Sequence, residues 1–210
     1  MTPRTFHTIA ALLLPLLLWG CMGLSQPARR VDYYTLEYDP PGIAVTPPLP
    51  VTLHVRPFQI SPEYDTDRII YQTGPYLRQT YTYHRWRASP AQLVAYFLAR
   101  DLKLSALFAG AFAPDINPGA THEIEGIVDA FHELDTKDGW YAIMTITITL
   151  LKVEETDLSQ RIMLQKQYSY RESCSAKTPV AVAAAMSRAM AAFSREVIGD
   201  LHGQLKITGS

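Results

Sequence analysis

The amino-acid sequence predicts an α+β fold: a single domain with an antiparallel or mixed β-sheet and two helices packed on one face. Trp140, Ala142, Met144, Ile146, Ile148 and Leu150 alternate with Thr145, Thr147 and Thr149, the period of a strand with one buried face. Ser89-Pro90, with Gln92 three residues after the serine, opens a segment whose Val94, Phe97, Leu98 and Leu102 share one helical face. Met186, Met190, Phe193, Val197 and Leu201 make a second apolar stripe over about four turns. Strands, a helix, strands and a helix follow one another in the order of an α+β domain.

The elements run as follows. Tyr33-Tyr34-Thr35-Leu36 reads as a short first strand. Asp39 to Pro50 holds five prolines and a glycine and reads as an extended loop. Val51 to Phe58 alternates and predicts a strand. Arg68–Gln72 and Tyr81–Trp86 are two further β-like runs around Thr73-Gly74-Pro75, which suggests a hairpin with a longer loop. The first helix starts at the Ser89 cap and ends before Gly110 and Pro114. Thr121–Leu134, the Trp140–Leu150 strand and Arg161–Glu172 form an antiparallel meander, with turns at Asp138-Gly139 and Glu154–Gln160. The last helix opens at Thr178-Pro179, and its alanines permit close packing on the sheet.

Residues 1–20 read as a leader. Arg4 is followed by an apolar run from Ile9 to Trp19, shorter than the roughly 20 residues needed to cross a bilayer. It ends Leu18-Trp19-Gly20-Cys21, the pattern of a lipoprotein signal, although Trp19 stands where a small residue is usual. Cleavage before Cys21 and lipidation of its thiol then leave residues 21–32 as a lipid-anchored tether and 33–210 as the domain. Bacterial lipoproteins carry three acyl chains on this cysteine, enough for a lasting anchor, since each buried methylene contributes about 0.8 kcal/mol. Met22 rather than aspartate follows the cysteine, which predicts sorting to the outer membrane with the domain facing the periplasm.

Removing Arg4 with the leader leaves 18 basic against 20 acidic residues, a net of −2. The basic residues are scattered, so nucleic acid is not an expected partner. Cys174 is the only cysteine besides Cys21, which leaves no disulfide framework and predicts a buried free thiol.

No phosphate-cradling glycine loop, G-x-S-x-G or H-E-x-x-H occurs, and no paired carboxylates suggest acid/base catalysis. His122 and His132 lie ten residues apart on one predicted strand, about 33 Å, too far to share a metal. His54 and His84 belong to other strands. No catalytic residues, metal or cofactor are expected. Twelve tyrosines are present, and Tyr71, Tyr76, Tyr81, Tyr83 and Trp86 gather around the predicted hairpin. Two readings stand side by side: half-buried strand residues, or a surface for binding a protein partner.

Tyr33-Tyr34-Thr35-Leu36, Val55-Arg56-Pro57-Phe58, Tyr64-Asp65, Arg68-Ile69-Ile70-Tyr71-Gln72, Tyr83-His84-Arg85-Trp86 with Pro90, Leu107-Phe108 and Phe112 occur in that order. Together they resemble the ABC-type transport auxiliary lipoproteins, the group of paraquat-inducible protein C, from about Tyr33 to Leu205. Gln72 departs from the pattern, where a basic residue is usual. The resemblance implies a non-enzymatic envelope component that accompanies an ABC transporter and a substrate-binding protein of the mammalian-cell-entry type. It implies a role as docking point at the outer membrane in phospholipid transport between membranes, with a homo-oligomer as an allowed assembly. The alternative is an envelope lipoprotein that binds a small hydrophobic ligand or assists envelope assembly. Exposed aromatics would favour docking, and an enclosed apolar cavity would favour ligand binding.

Overall fold

A computed structural model describes residues 29–42, 47–116 and 119–208. The leader, Cys21 and most of the tether lie outside the described residues. Val31–Ser210 forms one compact unit. Among the described residues its core is a single cluster running from Leu36 to Leu205.

Among the described residues, nine strands make one sheet. They are β1 (Asp32–Tyr34), β2 (Leu49–Val55), β3 (Gln59–Ile60), β4 (Arg68–Gly74), β5 (Leu77–Trp86), β6 (Phe108–Phe112), β7 (His122–Thr136), β8 (Gly139–Lys152) and β9 (Ile162–Ser173). The long strand β7 is the axis. One edge pairs with β8, which pairs with β9, giving the expected antiparallel meander. The other edge takes β2, β3 and β4 in turn along its length, all parallel to it. Outside these lie β6 on β2, and β5 and then β1 on β4. The sheet is therefore mixed.

The alternation of β8 is complete: Ala142, Met144, Ile146, Ile148 and Leu150 have no exposure, while the intervening threonines reach the other face. Lys137 and Asp138 form the turn into β8, and Gly139 follows at φ +149°, a value that favours glycine.

Helix α1 (Pro90–Ser105) begins as expected. The Ser89 hydroxyl accepts from the Gln92 amide and the Gln92 side chain accepts from the Ser89 amide, each at 3.4 Å. After a four-residue α2 (Leu158–Arg161), α3 (Pro179–Thr208) extends well beyond the predicted stripe, and buried Val182 and Leu205 lengthen it at both ends. α3 packs on β8 and β9, and α1 on β2, β6 and β7; the helices also touch each other. Phe193 lies edge-on to Tyr168 and Tyr170, at 5.6 and 6.4 Å between ring centres.

The segment after β1 straps the helices together. The Glu37 amide donates to the Ser187 hydroxyl at 3.0 Å, and the Tyr38 hydroxyl donates to Asp101 at 2.6 Å. Asp101 is buried, and its other oxygen accepts from Arg100 at 2.8 Å.

Two expectations need correction, and two elements are added. The hairpin between β4 and β5 has no longer loop: Gly74 pairs with Leu77, leaving Pro75-Tyr76 as a two-residue turn. The predicted strand Val51–Phe58 starts at Leu49 and stops at Val55, because Pro57 has no amide to continue the ladder. Phe58 lies instead against Gly126, where a Cβ would stand 2.4 Å from the ring. Phe108–Phe112, to which the sequence assigns no element, is an added parallel strand. The short 3-10 turn Pro62–Tyr64 was also unforeseen.

Candidate functional site

The tyrosine-rich hairpin is built on β7, and its two faces are fixed differently. On the helix-bearing side, Tyr71 and Tyr81 pack ring to ring at 4.8 Å between centres. The Tyr81 hydroxyl donates to Oε2 of Glu133 at 2.8 Å. Glu133 is 0% exposed, and its Oε1 has no hydrogen-bond partner among the described residues. Burial raises its carboxyl pKa, opposed by the hydrogen bond from Tyr81. Burial, and then the bond to Glu133, push the Tyr81 phenol well above its ordinary value of 10.

Nearby, Lys177 pairs with Asp135 just ahead of α3. Cys174 is the expected buried free thiol, held through its amide by the Trp140 carbonyl at 2.8 Å. Burial and the charge of Glu133 push its pKa up to about 11, which suppresses the reactive thiolate.

On the opposite face, Arg78 donates to the Tyr64 hydroxyl at 3.1 Å and pairs with Glu63 at 3.1 Å. Tyr64 stacks on His132 at 5.4 Å, nearly parallel. Burial, with help from Arg78, lowers the His132 pKa to about 4, so the ring is neutral. The hairpin is thus held on both faces, directly by Tyr81 on Glu133 of β7 and, on the other side, by Arg78 on Tyr64, which stacks on His132 of β7.

The turn itself is free of that clamp. Tyr76 is 99% exposed, and Leu77 beside it is more than half exposed. The sequence-predicted residues therefore separate. Tyr76 stands at the tip; Tyr71, Tyr81 and Tyr83 are half-buried along the hairpin. Trp86 is corrected to a core residue: it is 2% exposed and meets Phe131 edge-on at 5.3 Å. His84 joins the hairpin cluster, with its Nδ1 3.0 Å from the Tyr34 hydroxyl and its ring against Tyr81.

Among the described residues the histidines do not converge on one site. His132 serves Tyr64, His84 serves Tyr34, His122 lies 2.9 Å from the Thr121 hydroxyl and His54 sits 3.9 Å from Glu123. Among the described residues no three metal-binding side chains come together. Glu133, the residue that positions Tyr81, was missed from sequence; its signal is the step from Val128 to Phe131 in the apolar spacing of β7. That step matches the irregularity between Val128 and Ala130 in the pairing with β8.

A family model described as ABC-type transport auxiliary lipoprotein component matches residues 34–198. Among solved structures, a crystal structure of a protein from Xanthomonas campestris is similar with a TM-score of 0.71 and 17% identity, covering 85% of this chain and 98% of that one. Another, described as an uncharacterized protein, gives a TM-score of 0.65 at 13% identity, covering 82% of this chain and 99% of its own. At these identities the likeness is one of fold. No curated protein matches the chain.

Proposed function

Because the chain belongs to the ABC-type transport auxiliary lipoprotein family, we propose that it is the outer-membrane docking point for a mammalian-cell-entry-type substrate-binding protein and its ABC transporter. In this reading it is a non-enzymatic component, held by lipid on Cys21 and facing the periplasm, in a system that moves phospholipid between the two membranes. The Met22 that follows Cys21 supports the outer-membrane destination.

The observation that carries the docking role is the placement of Tyr76. It is an almost fully exposed tyrosine beside exposed Leu77, on a turn whose base is fixed by the bonds of Tyr81 to Glu133 and Arg78 to Tyr64. A rigid support with an aromatic tip suits a contact surface, because little side-chain or loop entropy is lost on association. Tyr71, Tyr81 and Tyr83 add half-buried area behind it.

Co-expression with the entry-type protein of the same cell, followed by purification through a tag on either partner, tests the reading. The wild-type chain should co-purify and Tyr76→Ala should not. Equal recovery of both would place the contact elsewhere, and absence of a wild-type complex would overturn the docking role.

A further inference from the structure

Two apolar hollows run along α1, between it and the segments at 57–58 and 111–116, and neither belongs to the hairpin. The first, of about 680 Å³, is floored by Phe58, Leu93 and Phe97. The second, of about 420 Å³, is floored by Ala99 and Phe112. Tyr96 and Ala113 line both, so the hollows meet there. Tyr96 is 60% exposed and stands as the rim. The stretch of α1 from Gln92 to Lys103 beside them is about 16 Å long at 1.5 Å per residue. Each hollow is within the usual size of a small-molecule site, and the lining is mostly carbon.

The charges are distributed unevenly. Arg100 and Lys103 line the second hollow, whereas Asp115 lines the first. Arg100 is opposed by buried Asp101 at 2.7 Å, whereas exposed Lys103 makes no ion pair among the described residues. An elongated apolar trough with a free cation at one end is complementary to a molecule with one long hydrocarbon chain and one negative end. The geometry points to a binding site for a single-chain anionic amphiphile, of fatty-acid or lysophospholipid type. Its chain lies over Phe97 and Phe58, and its anionic end faces Lys103. This goes beyond docking at the hairpin and does not depend on it.

The chain from Arg29 onward holds the whole described core and serves as the test protein. Titration with 11-(dansylamino)undecanoic acid should give a saturable fluorescence rise with one site per chain. Ala113→Trp, which fills the junction, should weaken binding at least tenfold. Lys103→Glu, an exposed change that leaves the core untouched, should weaken the acid several-fold and leave its methyl ester unaffected. Displacement by oleate or by lysophosphatidylglycerol supports the site, and the better competitor identifies the source of the anion. Non-saturable uptake, or equal binding by wild type and both variants, overturns the proposal. So does a trough that binds no probe while Ala113→Trp alters the sedimentation coefficient, which would make it a seam between copies of the chain.

Discussion

The phenol of Tyr81 donates a hydrogen bond of 2.8 Å to Oε2 of Glu133, a carboxyl group from which solvent is excluded. Tyr81→Phe keeps the ring against Tyr71 but removes the hydrogen bond to Oε2, and Oε1 has no partner among the described residues. Leaving a buried polar group unsatisfied costs about 1–3 kcal/mol. Urea denaturation should show a loss in that range for Tyr81→Phe. The double variant Tyr81→Phe with Glu133→Met, which removes both partners, should lose less than the single one. Equal losses would mean that the bond does not couple the hairpin to β7.

His132 and Glu133, adjacent on β7 and on opposite faces, give opposite dependences on pH. The folded pKa of His132 is about 4 against an ordinary 6.5, lowered first by burial and then by Arg78. Its contribution is present above about 6.5 and is lost as pH falls through 4, where the unfolded chain binds the proton more readily. The folded pKa of Glu133 is raised from 4.5, so its contribution is present below that value and is lost as pH rises through the folded value. His132→Phe preserves a ring for Tyr64 to stack on and removes the ionisable nitrogens. Between pH 6.5 and 4 it should abolish about 3 kcal/mol of acid-induced loss. Denaturation curves for the two proteins across that window should diverge in slope; parallel curves would contradict the assignment.

Phe193 is without exposure and lies edge-on to two tyrosines of β9, so Phe193→Ala should cost about 3–5 kcal/mol. Arg188, one helix face away, is exposed and pairs with Glu172 at 3.4 Å; Arg188→Ala should stay within about 0.5 kcal/mol. Chemical denaturation separates the two. Small, equal effects would show that the stripe on α3 is not the core.

The apolar run ending Leu18-Trp19-Gly20-Cys21 predicts covalent lipid at Cys21. Cells fed a labelled fatty acid should mark the wild-type chain, and Cys21→Ser should remain unlabelled and keep its leader. Label incorporated by Cys21→Ser at the wild-type level would rule the anchor out.

Much of this architecture is legible in the sequence where one residue pattern dominates. The threonine–aliphatic alternation of β8 fixes both its period and its buried face, and Ser89, Pro90 and Gln92 mark the start of α1 chemically. β6 escaped because Phe-Ala-Gly-Ala-Phe carries two small residues and a glycine, and only Phe108 of the five is buried. Its strand character comes from pairing with β2, a tertiary effect. The hairpin turn was misplaced because Thr73 and Gly74 look like turn residues in isolation; register instead carries both into β4. Glu133 was hidden for a related reason. Strict alternation from Ile124 would make the odd-numbered residues of β7 face outward, but the irregularity near Asp129 turns Phe131 and Glu133 inward.

The tip and the base of the hairpin should respond differently to mutation. Tyr76 contributes almost no buried area, so Tyr76→Ala should leave the melting temperature nearly unchanged. If the tip is an energetic centre of the docking contact, the same change should weaken association with the entry-type partner by about 2 kcal/mol, roughly thirtyfold. Trp86 lies in the core against Phe131, so Trp86→Ala should cost about 3–5 kcal/mol of stability and lower binding only through the loss of folded protein. Binding measured per folded molecule, beside a melting curve for each variant, separates these effects. Normal affinity for Tyr76→Ala moves the docking surface away from the hairpin, and early melting of that variant would show a structural role for the tip.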